Sequence, residues 1–136
     1  MSLKRKLLFG TLAALPLLAI LAIFLISTPM IDRYQKSIDK DPDAESSRDR
    51  QLMLSDLCFK TWRYEQAASG YRRFYERYTR DVRRADALLR YAQSLEEAER
   101  NADAKDIYEK YLAEYPHLEG RTEAERGLVR ISNVKR

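Results

Sequence analysis

The sequence is poor in the residues that form metal sites, disulfide bonds and phosphate-binding loops. Its 136 residues include one cysteine and one histidine. With Cys58 alone, the chain cannot form an internal disulfide bond or a cysteine-based metal site, and the leucines beside it predict a buried thiol. The glycines are too dispersed for a phosphate-binding loop. They are Gly10, Gly70, Gly120 and Gly127.

No pattern of catalytic residues is present. His117, the only histidine, follows Pro116 in a predicted loop, and no cysteine or second histidine can pair with it. Neighbouring acids such as Glu96 and Glu97 do not face each other on a helix, so they are poor candidates for an acid/base pair. We therefore expect a protein that is not an enzyme and has no catalytic residues, metal site or cofactor.

The formal charge of +4 is unevenly distributed. Arginines dominate residues 72–90, whereas acidic residues dominate residues 96–125. Such runs are typical of solvated helix faces, and the alternative is a basic patch for an acidic protein or an anionic lipid. A nucleic-acid partner is not expected, since no nucleic-acid-binding motif accompanies the arginines.

Residues 7–26 form one apolar run that is long enough to cross a membrane. About 20 residues at a rise of about 1.5 Å each match the hydrocarbon thickness of a bilayer. The run is longer than the apolar part of a cleaved signal peptide, and no Ala-x-Ala pattern follows it, so residues 1–28 are predicted to be an uncleaved signal anchor. Its basic flank predicts a cytoplasmic N-terminus. We expect a single-pass protein of the bacterial inner membrane, with a periplasmic C-terminal domain.

Three residues within the run suggest a packing surface for another membrane helix. Gly10 and Ala14 have the small-x-x-x-small spacing that lets helix backbones approach closely in lipid, and Pro16 removes a backbone donor and bends the helix. The alternative is ordinary contact with lipid. After the anchor, residues 29–43 are predicted to form a juxtamembrane amphipathic helix, with Ile31 and Ile38 on its apolar face, and a linker.

The remaining domain, residues 44–136, contains an internal repeat. Residues 64–78 align with residues 101–115 at an offset of 37 residues, and another helical pattern precedes each segment. The unit is therefore a helical hairpin. Trp62 lies in the predicted turn of the first hairpin, either packed on a helix or exposed as a binding anchor. The aligned pairs are Ala67 with Ala104, Tyr71 with Tyr108, Phe74 with Tyr111, and Tyr78 with Tyr115.

At these positions the sequence resembles the tetratricopeptide repeat (TPR), a unit of about 34 residues. Ala67 and Ala104 resemble its small residue, and Pro116 its closing proline. Gln51 stands where tryptophan is usual. The longer offset implies about three extra residues near 81–84 or 97–100. The segment 108–116 is similar to divergent TPRs of bacterial envelope proteins, and a final helix with Ala124, Leu128 and Ile131 on one face is predicted to cap the array.

The predicted fold is all-α: a transmembrane helix followed by about two TPR-like repeats and a capping helix. The resemblance implies binding of other proteins along the concave face that the first helices form. The hypothesis is a membrane-anchored scaffold for envelope or membrane-complex proteins. The alternative is a small accessory subunit whose transmembrane helix and array both pack on partner subunits. The residues that the resemblance assigns to the partner-binding face are Leu52, Asp56, Phe59, Lys60, Leu89 and Gln93.

Overall fold

The computed structural model describes residues 16, 18–21 and 27–134. These residues fall in two units, Met1–Asp39 and Lys40–Arg136. Between residues 27 and 134 the chain forms six helices and no strand, which confirms the predicted all-α class. The helices are α1 (Thr28–Asp39), α2 (Glu45–Lys60), α3 (Tyr64–Arg77), α4 (Arg84–Glu97), α5 (Asn101–Glu114) and α6 (Arg121–Asn133).

Most of the predicted membrane anchor lies outside the described residues, and so do Gly10 and Ala14. Pro16 and residues 18–21 are helical, with exposed side chains. None of the helices in the described part of the chain is long and apolar enough to cross a membrane. Helix α1 buries Ile31 and Ile38 on one face, with Gln35 between them.

In the second unit, each helix from α2 onward packs against the next one along the chain. Two hairpins, α2–α3 and α4–α5, are followed by α6, which packs on α5 and also contacts α4. This is the arrangement of a short helical-repeat array with a capping helix. Ala124 of α6 is fully buried, and Leu128 and Ile131 pack against the main core, as predicted for the cap.

The two hairpin turns, which lie 37 residues apart in the chain, have the same backbone geometry. Trp62 and Glu99 have φ angles of 58° and 60°. The Arg63 amide donates to the Cys58 carbonyl (2.8 Å), and the Arg100 amide donates to the Leu95 carbonyl (2.9 Å). A left-handed residue with such a bond defines a Schellman motif at the end of α2 and of α4. The turns have equal length, so the extra residues of the repeat lie in the loop between α3 and α4, residues 78–83.

The aromatic and small residues of the repeat form the core. Tyr71, Phe74 and Tyr108 are fully buried, and Ala67 and Ala104 allow the paired helices to approach closely. Gly70 lies against α2, where an added Cβ would be 2.3 Å from Ser55 Oγ. The predicted burial of Cys58 is confirmed, since its side chain is 1% exposed.

Polar contacts around Tyr75 join the two repeats. Its hydroxyl donates to the Glu114 carboxylate of α5, at 2.7 and 2.8 Å from the two oxygens. The guanidinium of Arg84 lies 4.1 Å from the centre of the Tyr75 ring, and it donates to the Tyr115 hydroxyl at 2.8 Å. Because these groups belong to α3, α4 and α5, they fix the orientation of the second hairpin on the first.

Candidate protein-binding surface

Helices α2, α4 and α6 contribute side chains to one groove of the array. The groove begins beside Phe59 of α2, continues along α4 and ends at α6. An adjoining depression lies along α2 and reaches Arg83. The groove is lined by Phe59, Arg90, Gln93, Glu96, Glu97, Glu123 and Arg130, and the depression by Asp49, Leu52, Met53, Asp56, Leu57, Lys60 and Arg83.

Phe59 is the aromatic group of the groove. It is half-buried, and its ring packs edge-to-face against Tyr64 with 5.3 Å between the ring centroids. That contact restricts the ring while leaving part of it in the groove. Asp56 and Lys60 are exposed on the same helix, and the Asp56 carboxylate accepts a hydrogen bond from the Tyr71 hydroxyl.

The other three residues predicted for the partner-binding face lie in different environments. Gln93 is half-buried in the groove, and its side-chain oxygen accepts a hydrogen bond of 3.4 Å from Arg90. Leu52 is partly buried against the small cluster around Phe74. Leu89 is only 8% exposed and belongs to the main core, because Gly120 lies directly against it. Its side chain is thus part of the packing beneath α6 and leaves little surface for a partner.

Two residues of α6 reach this surface although the sequence predicted only a capping role for the helix. Arg130 donates to both carboxylate oxygens of Glu96, at 2.7 and 3.0 Å, and to Glu123 at 3.1 Å. The Tyr108 hydroxyl donates to Glu96 at 2.6 Å. The seven-residue spacing of Glu123 and Arg130 places both on one helix face. This spacing was the only sign in the sequence that the two side chains lie close together.

The environment of these groups shifts their pKa values in opposite directions. Burial, and then the hydrogen bond to Glu96, raise the pKa of the Tyr108 hydroxyl. Burial alone would raise the pKa of Glu96, but hydrogen bonds from Arg130 and Tyr108 outweigh it and lower that pKa. The pKa of the Tyr71 hydroxyl is raised in the same way as that of Tyr108, by burial and then by its hydrogen bond to Asp56. At neutral pH the groove therefore contains the Glu96 carboxylate, which is held by a neutral tyrosine and by arginine.

Some of the charged side chains in the groove form ion pairs with each other. Glu96 and Arg130 neutralise each other, whereas Arg90 is exposed and forms no ion pair with any residue that the structure describes. Within the described residues, no group of histidine, cysteine, aspartate or glutamate side chains is arranged to hold a metal ion. The arrangement is suited to polar and aromatic contacts with another macromolecule.

Comparison with known families supports the repeat. Residues 86–117 match the family model described as tetratricopeptide repeat. The α4–α5 hairpin is similar to a TPR. No curated protein matches the chain. The family match covers the second hairpin, and the 37-residue equivalence of the turns extends the TPR-like geometry to the α2–α3 hairpin. The domain is thus a TPR-like array, and a TPR repeat indicates a role in protein–protein interaction.

Proposed function

We propose that this chain is a membrane-anchored scaffold that binds a segment of a partner protein in the groove formed by α2, α4 and α6. The repeat geometry carries this proposal, because stacked hairpins align their first helices into one continuous surface. Helices α2 and α4 are the first helices of the two hairpins, and α6 extends their surface.

The side chains of the groove favour a particular kind of partner segment. Phe59 offers a partly exposed aromatic ring, and Arg90 offers a guanidinium without an ionic partner among the described residues. Aromatic and arginine side chains are enriched among the residues that contribute most to binding energy. We infer that the partner presents an apolar side chain to Phe59 and a carboxylate to Arg90.

The membrane anchor rests on the sequence of residues 7–26. Its described part supports the proposal, since Leu18, Ile20 and Leu21 are all exposed large apolar side chains. Exposed leucine and isoleucine in a helix are favourable in lipid and unfavourable in water. With an N-terminal anchor, the array would meet partners at the surface of the same membrane, which we propose is the bacterial inner membrane with the array in the periplasm.

In-cell crosslinking of the full-length chain tests the groove. A photoreactive residue at position 93 should capture a partner, and Phe59→Ala and Arg90→Glu should each greatly reduce that capture. Lys105→Glu is a matched control, because Lys105 is an exposed cation on α5, away from the groove. Leu89 variants are unsuitable, since loss of its core packing would confound binding with folding. Equal capture by the groove variants and the wild type would refute the proposed surface.

Labelling of the full-length chain tests the membrane topology. Val82 is almost fully exposed in the α3–α4 loop, whereas Cys58 is buried and its pKa is raised by burial. A Val82→Cys variant should therefore react first with an impermeant maleimide. Reaction in cells with only the outer membrane opened, together with retention in the membrane fraction after alkaline extraction, would support a periplasmic array on an anchor. Reaction only after lysis of the inner membrane would contradict this topology.

A further inference from the structure

The N-terminal end of the array exposes an apolar side chain at a position that is covered in the second repeat. On α4, Ser94 is fully buried, and Ala87, two turns earlier on the same face, packs with Phe74 of α3. The position equivalent to Ser94 on α2, 37 residues earlier, is Leu57. Leu57 is 41% exposed, because α2 is the first helix of its unit and no hairpin precedes it there. Met53, one turn before Leu57, is 58% exposed.

The C-terminal end of the array exposes a mostly polar helix face. The outer face of α6 presents Thr122, Glu125 and Arg126, with Val129 as its exposed apolar residue. A polar outer face is what the last helix of a repeat array needs in order to stay soluble. Helix α6 thus closes its end, whereas α2 leaves an apolar strip at the other end. An exposed apolar strip with charged neighbours is typical of an interaction surface.

The strip on α2 is self-complementary. Asp49 and Lys60 flank Met53 and Leu57 and carry opposite charges at the two ends of the strip. When two copies of such a helix pack antiparallel about a twofold axis, each residue near one end meets a residue near the other end. Asp49 then faces Lys60 of the second copy, and Met53 faces Leu57. The twofold axis forms this apolar contact twice and this ion pair twice.

Both charged side chains can take part. Asp49 binds Arg83 at 2.6 Å, yet its side chain remains 67% exposed, so its second oxygen is accessible. Lys60 is exposed and forms no ion pair within residues 27–134. We propose that this end of the array binds a second copy of the chain through an antiparallel α2–α2 contact. The proposal does not depend on what binds in the groove, although Lys60 lies where the two surfaces meet.

Charge exchange tests this contact in the full-length chain in detergent, with association measured by sedimentation velocity. Asp49→Lys and Lys60→Asp should each weaken self-association by about tenfold or more, because two attractive pairs become repulsive. An equimolar mixture of the two variants should associate about as tightly as the wild type, since each attractive pair is restored between unlike copies. Asp49→Asn, which removes the negative charge without reversing it, should have a smaller effect than Asp49→Lys.

An apolar comparison completes the experiment. Met53→Lys should abolish association, whereas Val129→Lys, at a residue of similar exposure (59%) on α6, should leave it unchanged. Circular dichroism would check that each variant is folded. A wild-type chain that is monomeric at every concentration would overturn the proposal. Association that is insensitive to the charge exchange would also overturn it, because the copies would then be held together by another part of the chain.

Discussion

Gly127 of α6 lies directly against the ring of Tyr108 on α5. A Cβ atom at position 127 would be 2.4 Å from Cζ and 2.5 Å from Cε2 of that ring. Tyr108 is fully buried and donates its hydroxyl to Glu96 of α4, so its ring cannot move without breaking that hydrogen bond. The close approach of α6 to the second hairpin therefore depends on the absence of a side chain at one position.

We predict that Gly127→Ala destabilises the protein by about 1–3 kcal/mol, because the added methyl group overpacks the interface. Alanine would normally stabilise a helix relative to glycine by about 1 kcal/mol, so the sign of the effect is informative. Urea unfolding followed by circular dichroism measures it. Thr122→Ala, at an exposed position of the same helix, should change stability by less than about 0.5 kcal/mol. A stabilised Gly127→Ala variant would show that α6 does not pack as described.

The hydrogen bond between Tyr108 and Glu96 gives a second prediction. Tyr108→Phe should lower the free energy of unfolding by about 1–2 kcal/mol, because it removes a bond to a carboxylate that is shielded from water. Tyr111→Phe is the matched control, since the Tyr111 hydroxyl donates no hydrogen bond to the described residues. A double-mutant cycle with Glu96→Ala, which removes the acceptor, should give a coupling energy of at least about 0.5 kcal/mol. Additive effects would contradict the direct contact.

The helical fold and the cap were predictable from sequence because they depend on local spacing. The apolar residues of each helix recur every three or four positions, and the aligned tyrosines and alanines revealed the repeat. Ala124, Leu128 and Ile131 likewise fall on one face of α6, and that face is the one that packs on the core.

Contacts between distant segments could not be read in this way. Glu96 and Arg130 are separated by 34 residues and meet only because α6 returns to α4. The burial of Leu89 has the same origin, since the segment at Gly120 covers it. The sequence of α4 shows Leu88 and Leu89 as two adjacent leucines. It does not indicate that other segments bury both side chains. The sequence pattern therefore indicated that α2 and α4 contribute side chains to the groove, but it could not indicate the part that α6 contributes.

The residues in the two hairpin turns give a third prediction. Trp62 and Glu99 adopt left-handed conformations that cost a non-glycine residue about 1–2 kcal/mol, and Trp62 is 79% exposed. Glycine is the usual residue at this position of a Schellman motif, and without it the sequence contained no sign of the left-handed conformation within the predicted turn. Glu99→Gly should stabilise the protein by about 1 kcal/mol, net of the entropy that glycine adds to the unfolded chain. Trp62→Gly should have the same sign.

The control for this prediction lies two residues away. Glu97 is exposed and is the last residue of α4, so Glu97→Gly should destabilise by up to about 1 kcal/mol. Thermal unfolding of the three variants and the wild type under one set of conditions would compare them. Destabilisation by both Glu99→Gly and Glu97→Gly would mean that position 99 is not left-handed in solution.

The loop between α3 and α4 gives a prediction about acid stability. The Asp81 side chain is 7% exposed, and it accepts three hydrogen bonds of 2.9 Å from the Arg83 amide and guanidinium. These bonds from Arg83 outweigh the opposing effect of burial and lower the pKa of Asp81 to about 2. A carboxyl group whose pKa is lower in the folded state stabilises the protein above its unfolded pKa of 3.8, and that contribution is lost as the pH falls toward 2.

The wild type should therefore lose about 2 kcal/mol through Asp81 between pH 5 and pH 2, and Asp81→Asn should not show this loss. At pH 5 the variant should be less stable than the wild type, and the difference should shrink as the pH approaches 2. Urea unfolding at a series of pH values measures both curves. Asp106→Asn, which makes the same change at an exposed position of α5, is the matched control. Parallel curves for the wild type and Asp81→Asn would mean that the Asp81–Arg83 contact contributes no pH-dependent stability, and that the long α3–α4 loop is held by its other contacts.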